Sequence, residues 1–98
     1  FDNNPFQAVE RDFAFLLPKS IKAVDLINKI KKIDKKIINK VSIFDVYEGE
    51  KIDENSKSIA IRVLLQPLEK TFSDEEIEGF SNQIIDLIIT NFKASLRK

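Results

Sequence analysis

Six segments of alternating or helical hydrophobic spacing follow one another in this chain, and their order limits its fold more than any other feature. From Ala8 to Leu17 the period is two, with Phe13, Phe15 and Leu17 on one side of an extended segment and Asp12, Ala14 and Leu16 on the other. Pro18 ends it. From Ile21 to Ile33 the spacing becomes helical through Val24, Leu26, Ile27, Ile30 and Ile33, with Ser20 placed to cap the start and lysines crowding the last turn. Asp34 to Lys36 interrupts the pattern, and a second strand is expected over Ile37 to Tyr47. The polar loop "EGEKIDENSK" turns the chain back into a third strand, Ser58 to Gln66, expected to pair with the second as a hairpin. There Ile59, Ile61, Val63 and Leu65 point one way, and Ser58, Ala60, Arg62, Leu64 and Gln66 the other.

After Pro67, Ser73 and Glu76 have the spacing of a capping box, and Phe72 and Ile77 that of a hydrophobic staple across it. Ile77, Phe80, Ile84, Leu87 and Ile88 give the ensuing helix its apolar stripe, and Asp74, Glu75, Glu76 and Glu78 favour the positive end of its dipole. Gly79 in its interior costs about 1 kcal/mol relative to Ala, which points either to a close approach of the sheet or to simple tolerance. Phe92 to Arg97 reads as a short last strand. The order strand, helix, strand, strand, helix, strand, joined by right-handed crossovers, predicts an α+β ferredoxin-like βαββαβ sandwich. Its four-stranded antiparallel sheet has the order 4-1-3-2, with two helices on one face. The other face is left to solvent or to a partner, and function is to be sought there.

Bulk composition narrows the function classes. The 98 residues, 43% of them hydrophobic, fit a single domain over 1–98 with a core that needs no staples. Sixteen basic residues balance sixteen acidic ones, so only local clustering can favour a polyanion. With no Cys there is no disulfide framework or thiolate chemistry, and with no His the commonest general base and metal ligand is missing. The chain opens on Phe1 and contains no Met, which reads as an excised fragment of a longer chain. Neither a bilayer-length apolar run nor a signal-peptide pattern occurs, so a cytoplasmic location without membrane contact is expected.

Hydroxyls such as Ser42 and Ser58 have no imidazole to activate them, and no catalytic residue is expected in this domain. The loop acids Glu48, Glu50, Asp53 and Glu54 lack the ordered spacing of a calcium loop, and no metal ligand is assigned. No Gly-rich phosphate cradle occurs, since the two glycines are far apart. Lys22, Lys29, Lys31, Lys32, Lys35 and Lys36 form either the solvated outer face of the first helix or a phosphate-binding patch. The three arginines are Arg11, Arg62 and Arg97, in or beside strands that the sheet order makes neighbours. Parity puts Arg62 and Arg97 on the open face with Asp12 close by, while Arg11 precedes the regular part of its strand. Such a face suits single-stranded RNA, because guanidinium binds phosphate and stacks on bases; an Asp–Arg network that only keeps the face soluble is the equal alternative. An RNA recognition motif is a poor match, since "SIAIRVLLQ" carries no aromatic residue.

The fragments "ERDFAFLLP", "IFDVYEGE", "KSIAIRVLLQP", "KTFSDEEI" and "SLR" stand in the order and spacing of a known family. Together they resemble the ferredoxin-fold anticodon-binding domain at the carboxyl end of bacterial phenylalanyl-tRNA synthetase beta subunits, over nearly the whole chain. The resemblance implies a domain of a larger ligase that meets the anticodon stem-loop of tRNA(Phe). It also implies a parent enzyme in which the alpha subunit and the remaining beta-subunit domains handle ATP, magnesium and phenylalanine, with no cofactor in this domain. The organellar one-chain synthetase carries a similar domain. Arg11, Asp12, Arg62 and Arg97 are the expected RNA-binding residues. By parity Asp45 follows Val41 and Ile43 onto the helix side, as scaffold for the following turn, with Tyr47 beside it and Gly49 supplying turn geometry, unless a bulge reverses it. The competing reading is a protein-interaction module that docks other parts of a complex without touching RNA.

Overall fold

Each of the six periodic segments becomes one element in the computed structural model: β1 (Val9–Pro18), α1 (Ala23–Lys31), β2 (Ile38–Tyr47), β3 (Ser56–Leu65), α2 (Asp74–Phe92) and β4 (Ser95–Leu96). The structure describes residues 7–48, 54–68 and 71–96. β3 lies inside the sheet, antiparallel to β1 from Val9↔Leu65 to Pro18↔Ser56 and to β2 from Ile38↔Leu65 to Tyr47↔Ser58. Among the described residues β4 borders β1 at Phe15↔Leu96 and Leu16↔Ser95. The resulting order β2-β3-β1-β4 is the expected 4-1-3-2 read from the opposite edge.

The alternation of apolar residues decides which side of the sheet the helices cover. Phe13, Phe15 and Leu17 of β1, Val41 of β2, and Ile59, Ile61, Val63 and Leu65 of β3 are buried in one cluster with Leu26 and Ile30 of α1 and Ile84 and Ile88 of α2. Each such side chain contributes roughly 1.5–3 kcal/mol by leaving water, so this face holds the sandwich together. Phe13 and Phe15 add a stacked pair with ring centroids 6.2 Å apart.

Two local expectations are corrected. Ser20 does not cap α1, because a turn closed by the Ile21 N–H on the Pro18 carbonyl (3.1 Å) takes up the residues after β1. The helix begins at Ala23, behind an extended Lys22 with no side-chain cap. β4 is two residues long rather than the six proposed, since α2 runs on to Phe92 and Lys93 adopts a left-handed conformation (φ 54°) to leave it. Phe72, at the position expected for a staple, also has Phe80 as an edge-on partner, with centroids 5.5 Å apart.

The capping box is present as expected. Ser73 Oγ accepts from the Glu76 N–H at 3.2 Å, while the Ser73 N–H donates to Glu76 Oε1 at 3.0 Å. A Cβ built on Gly79 would meet nothing within 4 Å, so tolerance, not close approach, explains that glycine. Between α1 and β2, Asp34 Oδ1 accepts the N–H groups of Lys36 (3.0 Å) and Ile37 (3.2 Å), which closes the turn that delivers β2 to the sheet edge.

Candidate nucleic-acid interface

Residues directly opposite one another in an antiparallel ladder share a face, so register assigns the uncovered side of the sheet. Asp12 stands opposite Arg62, and Arg62 opposite Ser42, across three adjacent strands. Arg62 Nε donates to Asp12 Oδ1 at 2.9 Å and Nη2 donates to Oδ2 at 3.0 Å, a bidentate pair, with Glu10 Oε2 3.7 Å from Nε. Both side chains remain about half exposed, 44% for Arg62 and 47% for Asp12. The hydrogen bond from Arg62 holds the Asp12 carboxyl below its ordinary value against the opposing effect of burial, and Asp12 in turn raises Arg62.

Below this pair the guanidinium carbon lies 4.8 Å from the centroid of Phe44, an aromatic side chain that is 50% exposed. The lack of an aromatic residue in β3 makes an RNA recognition motif a poor match, and the ring on this face comes from β2 instead. Parity along β2, which sets Ser42 and Phe44 together opposite Val41 and Ile43, carried the missing signal. Phe44 stands where β2 bulges: Ile43 pairs with Ile61 and Asp45 with Ala60, leaving Phe44 as the extra residue. The bulge overturns the expected placement of Asp45. Its partner Ala60 is in step with Arg62, so Asp45 shares the uncovered face and is exposed rather than turned under the helices. Tyr47, 40% exposed, follows opposite Ser58 on the same side.

Of the four residues singled out from the sequence, the fold brings Asp12 and Arg62 together. Arg11 stands opposite Val63, in step with Phe13 on the helix side, and its Nη1 donates to the Glu10 carbonyl at 2.8 Å. It does not join the Asp12–Arg62 pair. Arg97 lies outside the described residues, as do Gly49, Glu50 and Asp53 of the acidic loop. Glu48, at the near end of that loop, sits 3.4 Å from Lys19 Nζ.

The face therefore differs from an arginine clamp. Its one described guanidinium is already claimed by two carboxylates, and Glu10, Asp12 and Asp45 outnumber Arg62 and Lys40 across it. Such a surface has little to offer a phosphate at its centre, but it presents a half-exposed ring beside an anchored guanidinium plane, and carboxylates that accept hydrogen bonds. Those groups suit the flat faces and N–H edges of unpaired bases.

Comparison with known proteins assigns this sequence to a family. Residues 4–97 match the model of the ferredoxin-fold anticodon binding domain. The chain belongs to that family. Among curated relatives of this anticodon-binding domain, the phenylalanine–tRNA ligase beta subunit of Nitrobacter winogradskyi is 42% identical over 92 residues, 94% of this chain and 11% of that protein. The beta subunit of Zymomonas mobilis is 54% identical over 79 residues, 81% of this chain and 10% of that protein. That of Bradyrhizobium diazoefficiens is 45% identical over 92 residues, 94% of this chain and 12% of that protein. The chain thus spans about a tenth of the length of these relatives. Among the described residues no helix is long and apolar enough to cross a membrane.

Proposed function

We propose that this chain is the anticodon-contacting domain of a phenylalanine–tRNA ligase beta subunit and that it receives the anticodon loop of tRNA(Phe) on its uncovered sheet face. The half-exposed Phe44 ring, stacked on Arg62 at 4.8 Å on the side away from the helices, carries this reading. Phe44 takes an unstacked base on its face. Asp45, set beside it by the bulge, accepts hydrogen bonds from the base edge, and Tyr47 extends the surface toward the β2–β3 loop. Arg62 acts through its plane and as the anchor of Phe44 more than as a phosphate ligand, because its Nε and Nη2 already donate to Asp12 and the Glu10 carboxylate adds a second negative charge 3.7 Å from Nε. Aminoacylation itself, with its ATP, magnesium and phenylalanine, belongs in this reading to the alpha subunit and to other beta-subunit domains, in the cytoplasm. Binding through so small a surface is weak in isolation and gains from tethering to the parent enzyme, which raises the effective concentration.

The test is amide shift mapping by NMR of the 98-residue chain with an anticodon stem-loop RNA. Shifts confined to β1, β2 and β3 residues around Asp12, Arg62, Phe44 and Asp45 are expected. An unperturbed sheet at saturating RNA would reject the reading and leave a protein-docking module, with the Asp12–Arg62 network serving only the solubility of the face.

A further inference from the structure

Charge is distributed unevenly along this neutral chain. Lys19 to Lys40 holds eight lysines against two aspartates, and the remainder carries fourteen acids against eight bases. One of the two aspartates, Asp34, spends a carboxylate oxygen on the backbone N–H groups of Lys36 and Ile37, so it closes the turn. Lys35 and Lys36 are exposed in that turn, which reaches the sheet where the Gln66 N–H donates to the Ile37 carbonyl at 2.7 Å. At a second bulge, between Ile38 and Lys40, β2 turns Lys40 opposite Leu64, on the uncovered face and in step with Ser42. Among the described residues the ion pairs are Lys19–Glu48, Arg62–Glu10 and Arg62–Asp12, and none of Lys35, Lys36 or Lys40 takes part in them.

These three exposed lysines lie on the stretch of chain that leads from the turn before β2 onto the uncovered face. From Phe44 back to Lys40 is four residues of strand, about 13 Å at ~3.3 Å per residue, and Lys36 and Lys35 stand in the turn that precedes the strand. A nucleic-acid strand stacked at ~3.4 Å per nucleotide covers that span in about four nucleotides. We propose that Lys35, Lys36 and Lys40 form a phosphate rail, which carries the sugar–phosphate backbone of the RNA whose bases lie on Phe44 and Asp45 along the β2 edge. The proposal rests on the open-face reading and divides the labour within it: the net-acidic centre of the sheet meets bases, and the lysine-rich corner supplies the phosphate contacts that the carboxylates around Arg62 disfavour there. Phosphate contacts position the RNA, and base contacts specify it.

The test is a salt titration of anticodon stem-loop binding from 50 to 200 mM, with the intact 98-residue chain, the triple variant Lys35→Ala/Lys36→Ala/Lys40→Ala, and Lys22→Ala at the far end of α1 as control. Circular dichroism checks that all three fold alike. Each single-strand phosphate contact adds about 0.7 to the logarithmic salt slope, so the triple variant should lose about 2 from it. Over that fourfold salt range the unmodified chain should therefore lose about 16-fold more affinity than the triple variant. The control should keep the parent slope, and the triple variant should weaken stem-loops of altered anticodon to the same degree. If the unmodified chain binds and the triple variant keeps the full slope, the rail is wrong while the open-face reading stands, and an acidic protein surface becomes the better partner for these lysines. If the unmodified chain binds no RNA, both fall.

Discussion

Replacing Phe44 by Leu separates what the ring does for the fold from what it does for RNA. The side chain is 50% exposed on the edge strand β2, and its described aromatic role is the contact with Arg62 at 4.8 Å. Leu keeps an apolar group and a strand-compatible backbone, so the stability at stake is the cation–π contact, about 0.5–1 kcal/mol at an exposed site. For a domain of this size a loss of 1 kcal/mol moves the melting temperature by about 4–8 °C, and the variant should melt within that distance of the parent. Stacking of one base on an aromatic ring is worth about 1–3 kcal/mol, so affinity for an anticodon stem-loop should fall roughly 5- to 140-fold. Fluorescence anisotropy with labelled RNA at fixed salt gives the affinity, and thermal denaturation gives the stability. Because no charge is removed, the salt slope should remain that of the parent chain. Affinity unchanged in Phe44→Leu would refute the stacking argument, and so would a loss accompanied by a shallower salt slope.

Two further outcomes follow from the geometry. Gly79→Ala should raise stability by about 0.5–1 kcal/mol in urea denaturation, since the added methyl enters open space on a helix; a destabilised variant would mean that α2 packs differently there. The Asp12–Arg62 pair contributes stability above the ordinary aspartate range near pH 4 and loses it as pH falls through the lowered folded-state value, because the folded carboxyl is the stronger acid. The difference in urea midpoint between the parent and Asp12→Asn should therefore be flat from pH 8 to 6 and shrink below about pH 4, modestly because both groups are solvent-screened; a difference that grows on acidification would contradict the pairing.

Most of the architecture could be read from one-dimensional spacing because the signals were local. The capping box at Ser73 and Glu76, the proline after β3 and the strict alternation of Ile59, Ile61, Val63 and Leu65 each act within a few residues. The strand order then followed from crossover handedness. Features that depend on distant partners were not legible in the same way. Parity fails for Asp45 because the extra residue at Phe44 exists only relative to the β3 register, which β2 alone does not encode. Ser20 has the chemistry of a helix cap, yet the turn after Pro18 uses its stretch of chain first. Arg62 was correctly placed on the open face, but the sequence left undecided whether its guanidinium would be free or held. The bidentate bond to Asp12 and the contact with Phe44 are properties of three strands lying side by side.

The extra residue in β2 also affects how readily this surface can change. A regular strand spends every second side chain on the interior, so two outward neighbours are separated by one committed to packing. At the bulge, consecutive codons 44 and 45 both encode outward groups, and neither is held by the apolar interior. A lineage could therefore exchange an aromatic for another ring, or a carboxylate for an amide, by substitutions in adjacent codons while the sandwich underneath stays intact.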